Sequence, residues 1–186
     1  MIHIMTFLII HGIGGYAGIH WQQWLHDELV KSGNKVLMPN FSDPDHPDRN
    51  IWLEEVKNEV KDIDLSDLVI IGHSLGATTA LDFIEQSSVP IKGFISVSGF
   101  ASDYGAELNG YFLRSKDIDF TKARNNIEHS SVIYGDNDPY VTQPALQEVS
   151  LGLKVSPLVI HRGGHLNSEA GYTKFPKLLE IVNSIN

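Results

Sequence analysis

Six short, nearly unbroken apolar runs punctuate this chain, at 6–10 (TFLII), 35–38 (KVLM), 68–71 (LVII), 93–97 (GFISV), 131–134 (SVIY) and 158–160 (LVI). A strand wetted on one side alternates apolar and polar residues, whereas a continuous run suits a parallel strand covered on both faces. Residues 21–32, 51–61, 76–86, 143–152 and 172–185 lie between or after these runs and read as helices. In the first, Trp21, Trp24, Leu25, Leu29 and Val30 fall at helical spacing, and Gly33 marks a stop. In the second, Ile51, Leu53, Val56 and Val60 do much the same, with carboxylates interleaved. Strand alternating with helix implies an α/β fold, a mostly parallel sheet of about six strands with helices on both faces.

Residues 41–50 form a polar, proline-rich loop, while 100–126 give no clean pattern and leave room for one or two short helices over a cleft. No repeat, low-complexity tract or linker interrupts the chain, so residues 1–186 are expected to form a single domain. The absence of cysteine excludes disulfides, thiolate metal sites and a cysteine nucleophile. A net charge of −9 argues against broad binding to nucleic acid or anionic membranes. The apolar start lacks Lys and Arg and runs into His-Gly-Ile-Gly-Gly, so it reads as a buried strand and not a signal segment. A cytoplasmic location is the default expectation.

Gly72-His73-Ser74-Leu75-Gly76 matches G-x-S-x-G, directly after one strand run and before a helical one. Such a joint forces the serine into a tight turn and projects its hydroxyl above the sheet. The following helix start adds free N–H groups where an oxyanion would form. A serine in this position needs a base. His165, in Gly163-Gly164-His165-Leu166, follows the last strand run and so lies at the same sheet edge as Ser74. His73 adjoins the serine and should point elsewhere; His3, His11, His20, His26, His46, His129 and His161 have less suitable positions.

An acid must orient that imidazole. Asp136 and Asp138 compete in the segment after the penultimate strand run; Asp138, three residues beyond Gly135 and just before Pro139, is favoured. Asp136 reads as a turn support. The chain order Ser, Asp, His is that of an α/β-hydrolase triad. The glycine-rich loop His11-Gly12-Ile13-Gly14-Gly15 opens at the same edge, making the amides of Ile13 and Leu75 the expected oxyanion donors. It does not match G-x-G-x-x-G, because Ala17 follows Gly14 at three residues, and no Gly-Lys-Ser/Thr follows. No metal or organic cofactor is called for by such chemistry.

His11-Gly-x-Gly-Gly15, Gly72-His-Ser-Leu-Gly76, Asp138-Pro-Tyr-Val141 and Gly163-Gly-His-Leu-Asn167 occur in one order across nearly the whole chain. Together they resemble a small serine hydrolase family of the α/β-hydrolase superfamily, that of the retinoblastoma-binding serine hydrolase and the YdeN-like proteins. The resemblance implies a trimmed α/β-hydrolase fold without an initial hairpin or large cap domain, and a triad of Ser74, Asp138 and His165. Retinoblastoma binding does not carry over, since its Leu-x-Cys-x-Glu motif requires a cysteine that this chain lacks. The expected activity is hydrolysis of a small carboxylic ester or amide through an acyl-enzyme. A non-catalytic interaction module, or an acyltransferase or thioesterase using the same triad, are the alternatives. Phe100, Tyr140 and Leu166 are expected in the substrate pocket, with Trp21, Tyr104, Tyr111 and Phe112 as further wall residues.

Overall fold

The computed structural model describes residues 4–185; Met1 to His3 and Asn186 lie outside the described residues. Six strands, β1 (Thr6–Ile10), β2 (Lys35–Leu37), β3 (Leu68–His73), β4 (Ile91–Val97), β5 (Ile127–Gly135) and β6 (Leu158–Ile160), form one sheet in the order β2-β1-β3-β4-β5-β6. Every adjacent pair is parallel. The helices are α1 (Gln22–Lys31), α2 (Arg49–Val60), α3 (Leu75–Glu85), α4 (Gly110–Arg114), α5 (Phe120–Asn125), α6 (Gln143–Leu153) and α7 (Pro176–Asn183).

The apolar runs read as they do because the sheet is covered twice. Along β1, Leu8 and Ile10 pack with Trp52 and Val56 of α2 and Leu81 of α3, while Phe7 and Ile9 face Leu25 and Leu29 of α1 and Leu178 and Val182 of α7. Successive side chains of a strand point to opposite faces, so two cores demand apolar residues at every position. Strand β5 departs from that pattern. Its first residues, Ile127 to Ser131, are exposed or half-buried, and polar side chains suffice there. This is why the strand starts four residues before its apolar run.

Helix ends follow local chemistry. The Asp48 side chain accepts from the amides of Asn50 and Ile51 at 2.9 and 3.0 Å, starting α2 two residues ahead of its apolar periodicity. The final helix begins only at Pro176, whose fixed φ suits a first helical position. Residues 168–170 ahead of it form a 3₁₀ turn capped by Asn167. No helix among the described residues is long and apolar enough to cross a membrane.

Residues 100–126 form a strap containing α4 and α5, tied down by a buried ion pair. Arg49 Nε and Nη2 donate to Asp82 at 2.7 and 3.0 Å, and both side chains are almost wholly buried. Arg49 Nη1 donates to the carbonyls of Phe112, Leu113 and Lys116 at 3.1, 3.2 and 2.6 Å, satisfying oxygens that the end of α4 leaves unpaired. Lys116 in turn binds Asp82 and Glu85 of α3. Removing one partner of a buried pair strands the other charge without water. Arg49→Ala is therefore expected to lower unfolding free energy by about 3–5 kcal/mol, read from urea denaturation; a loss below about 1 kcal/mol would show that water replaces the guanidinium.

Candidate active site

Parallel register brings four chain segments to one edge. Ile10 is level with Gly72, His73 with Val97, Val97 with Ile133, and Gly135 with Ile160. The segments that follow β1, β3, β5 and β6 therefore emerge together at the carboxyl ends of the strands, where open α/β sheets bind ligands.

Ser74 joins β3 to α3 with φ 55° and ψ −127°, and its amide donates to Val97 O at 3.0 Å. The two motif glycines are needed for space. A Cβ on Gly72 would lie 2.6 Å from Ala77 Cα, and one on Gly76 would lie 2.5 Å from Ile10 O. The loop after β1 also runs against the serine, since a Cβ on Gly12 would come within 2.9 Å of Ser74 Cβ. His11 anchors that loop: its Nδ1 donates to Gly12 O at 2.8 Å and its Nε2 accepts from the Phe41 amide at 3.2 Å. Its ring stands edge-on to Phe41 and Trp52, and burial lowers its pKa, consistent with a neutral imidazole.

Three consecutive side chains after β5 hold the loop after β6. Asp136 accepts from the Arg162 amide at 2.7 Å and from His161 Nδ1 at 2.8 Å. Asn137 Oδ1 accepts from the Gly164 amide at 2.8 Å. Asp138 Oδ2 lies 2.7 Å from His165 Nδ1, and its Oδ1 accepts from the amides of Tyr140 and Val141 at 2.9 and 3.0 Å. The Asp138 side chain is completely buried and that of His165 is 9% exposed. An ionised carboxylate only accepts, so the proton between them sits on His165 Nδ1 and leaves Nε2 with a lone pair. Asp136 thus meets His161, and Asp138 meets His165.

Two further side chains, to which the sequence reading gave no such role, fix the backbone of the His165 loop. His73 Nε2 donates to His165 O at 3.0 Å, and Trp21 Nε1 donates to Leu166 O at 2.9 Å. His73 lies beside the imidazole of that loop, the ring centroids being 5.0 Å apart, and lines the same cleft as Ser74 and His165. Its position inside G-x-S-x-G is the one sequence signal that could have marked it.

A cleft of about 270 Å³ opens over Ser74 and His165, with Ile13, Tyr104, Asn109 and Tyr140 among its walls and no Lys or Arg lining it. Tyr140 stands at its rim, with its ring edge-on to His165 and its hydroxyl on Glu169. The expectation for Phe100 and Leu166 needs correcting. Both are completely buried, Phe100 in the core beside α3 and Leu166 in the core beside α1 and α7, and neither lines the cleft. Apolar side chains next to the strand ends are drawn into the sheet's own packing. Trp21, Tyr111 and Phe112 likewise lie outside the cleft, whereas Tyr104 borders it. The Leu75 side chain is core, and its amide opens α3. Among the described residues no three His, Asp or Glu side chains are grouped to hold a metal ion.

Burial, and next the proximity of His165, push the pKa of His73 well below the usual 6.5. The unfolded chain takes up a proton there as pH falls through 6.5, and the folded chain does not. Stability is full above that pH and declines below it, by up to about 1.4 kcal/mol per pH unit for this residue. His11 and His20, also lowered chiefly by burial, add to the same slope. Urea titrations between about pH 7.5 and about pH 5.5 should show the decline, and His73→Gln, which keeps a donor for His165 O, should make it shallower. Identical slopes would mean that His73 is protonated in the folded state.

A family model described as serine hydrolase matches residues 7–184. The protein YdeN of Bacillus subtilis is 25% identical over 179 residues, covering 95% of this chain and 93% of its own. The serine hydrolase RBBP9 of Rattus norvegicus is 29% identical over 177 residues, covering 92% and 90%. The crystal structure of the Bacillus subtilis ydeN product superposes with a TM-score of 0.90 at 24% identity, over 97% of this chain and 98% of that one. A YdeN-like hydrolase from Pectobacterium atrosepticum gives 0.73 at 19% identity, over 98% and 90%. The sheet order, the serine at the strand–helix joint and these matches agree: the chain belongs to the serine hydrolase family and has an α/β-hydrolase fold without a large cap domain.

Proposed function

We propose that this serine hydrolase cleaves small, neutral carboxylic esters or amides through an acyl-enzyme on Ser74. The observation that carries the reading is the buried Asp138–His165 hydrogen bond of 2.7 Å beside a serine held at positive φ. Ser74 Oγ attacks the substrate carbonyl while His165 Nε2 takes its proton. The carbonyl oxygen gathers negative charge, which the amides of Ile13 and Leu75 receive as hydrogen-bond donors. His165 returns the proton to the leaving alcohol or amine as the carbonyl re-forms. Water then repeats the sequence on the acyl-serine, with His165 as base, and releases the carboxylic acid. Asp138 stays ionised throughout, holding the tautomer and stabilising the imidazolium.

Cleft size and charge support the substrate class. A space of about 270 Å³ suits a small molecule, and the lack of Lys and Arg in its walls offers nothing to an anionic group. Exposed Leu108 and Tyr140 at its margin suit an apolar acyl chain.

A fluorophosphonate probe is expected to label wild type and to fail on Ser74→Ala; equal labelling would remove Ser74 as the nucleophile. A non-catalytic scaffold would leave both unlabelled. Asp138→Asn should lower kcat by roughly ten-thousand-fold, while Asp136→Asn, which loosens only the loop after β6, should cost far less. The reverse ranking would reassign the acid. Product analysis in the presence of added alcohols, amines or thiols separates hydrolysis from acyl transfer.

A further inference from the structure

His20 lies in the segment between β1 and α1 and lines the cleft together with Ser74 and His165. It takes φ 59°, a left-handed conformation that is costly for a side chain of this size and must be held by its surroundings. Ser168, in the loop after β6, does the holding. Its amide donates to His20 Nδ1 at 3.2 Å, and its hydroxyl lies 2.8 Å from the same nitrogen. The hydroxyl would suit either tautomer, but an amide N–H only donates. Nδ1 therefore carries the lone pair, and on a neutral ring the proton sits on Nε2. Burial, and next the proximity of His165, lower the His20 pKa against a smaller opposing effect of Glu169, which favours that neutral ring. The ring of His73 stands edge-on to it, the centroids 5.4 Å apart. His20 Nε2–H has no acceptor among the described residues, yet it is not sealed: the ring is half-buried and Nε2 keeps surface of its own. The one polar hydrogen that His20 can offer the cleft is thus uncommitted.

A fixed tautomer with its proton left over, on a strained residue beside the triad, points to a partner that the substrate brings. We infer that His20 is a specificity-determining residue whose Nε2–H donates to an uncharged acceptor oxygen of the substrate, an ether or carbonyl oxygen other than the scissile one. The inference rests on the reading of Ser74 as an ester-cleaving nucleophile and adds a substrate feature. With Nδ1 occupied by Ser168, the ring accepts nothing from the substrate, so a group that only donates gains no bond there. A carboxylate or phosphate is disfavoured, since no Lys or Arg lines the cleft and its lining carboxylate, Glu169, would repel it. In the free protein water takes the open N–H, so the substrate oxygen contributes only the net of that exchange. The competing role is structural: the clasp on Ser168 would merely tie the segment after β1 to the histidine loop, as Trp21 does through Leu166 O.

Two isosteric ester pairs place an ether oxygen on either side of the scissile bond: para-nitrophenyl pentanoate against para-nitrophenyl β-methoxypropanoate, and butyl butyrate against methoxyethyl butyrate. The ether-to-alkyl ratio of kcat/KM is compared between proteins, so that intrinsic reactivity cancels. His20→Asn puts Oδ1 where Nδ1 stood and tolerates positive φ, which keeps the Ser168 clasp and removes Nε2–H. Wild type is expected to exceed this variant in that ratio by about fivefold for at least one pair, the weight of one net hydrogen bond. His20→Gln, whose amide nitrogen reaches the Nε2 position, should recover most of the preference even if its melting temperature drops with the clasp. A ratio that stays at the wild-type value in His20→Asn for both pairs would make His20 a brace of the histidine loop and overturn the assignment. Nitrogen NMR of wild type at about pH 7.5 should show His20 protonated on Nε2 and bare on Nδ1; the reverse tautomer also overturns it. If wild type cleaves the alkyl esters in either case, the ester-hydrolase reading stands and only the role of His20 falls. Failure of wild type to cleave any ester or to take the fluorophosphonate probe removes both.

Discussion

A serine at φ 55° is on the unfavourable side of backbone space, and its cost, of order 1–3 kcal/mol, must be met by the surroundings. The sheet supplies the constraint. The strand before Ser74 is locked between two parallel neighbours, its amide is tied to Val97 of β4, and the helix after it lies hard against the end of β1. A Cβ on Gly76 would lie 2.5 Å from Ile10 O, so the helix can approach only because the side chain is missing. That approach sets the hydroxyl, the first amides of α3 and the glycine loop after β1 around one point.

The histidine side of the site is fixed by other means. Its loop contains Arg162, Gly164 and Leu166 at positive φ and has little regular structure of its own. It is held from outside, by Asp136, Asn137 and Asp138 along one flank and by His73 and Trp21 on the backbone carbonyls. A hydrogen-bonded support around an irregular loop keeps a side chain near one geometry, as a reacting imidazole requires. His73 serves both halves of the site, because it precedes the serine in sequence and grips the histidine loop in space. The strap reaches the cleft through a third route: the Arg49–Asp82 pair and Lys116 fasten it to α3, the helix that begins at the serine. Tyr104 and Asn109 thus share a foundation with Ser74 although some thirty residues of chain separate them.

Much of this was legible beforehand. Both-face burial leaves a continuous apolar run, so each of the six strands could be found, and β5 was shortened only where its exposed start no longer needed apolar residues. The elbow was legible because a strand, a glycine-bounded serine and a helix occur in immediate succession. Long-range choices were not. Asp136 and Asp138 are two residues apart in one loop, and which of them meets His165 depends on how that loop faces another. Phe100 and Leu166 looked like pocket walls because an apolar residue beside a site reads the same as one in the core, and both went to the core.

The sequence by itself determined the parallel α/β sheet, the serine elbow and the edge at which the functional segments emerge, because periodicity and turn chemistry act over a few residues. Only the tertiary structure decided which carboxylate meets which imidazole and which aromatic residues face the cleft. Those depend on distances between segments that the chain brings together from far apart, and local pattern carries no record of them.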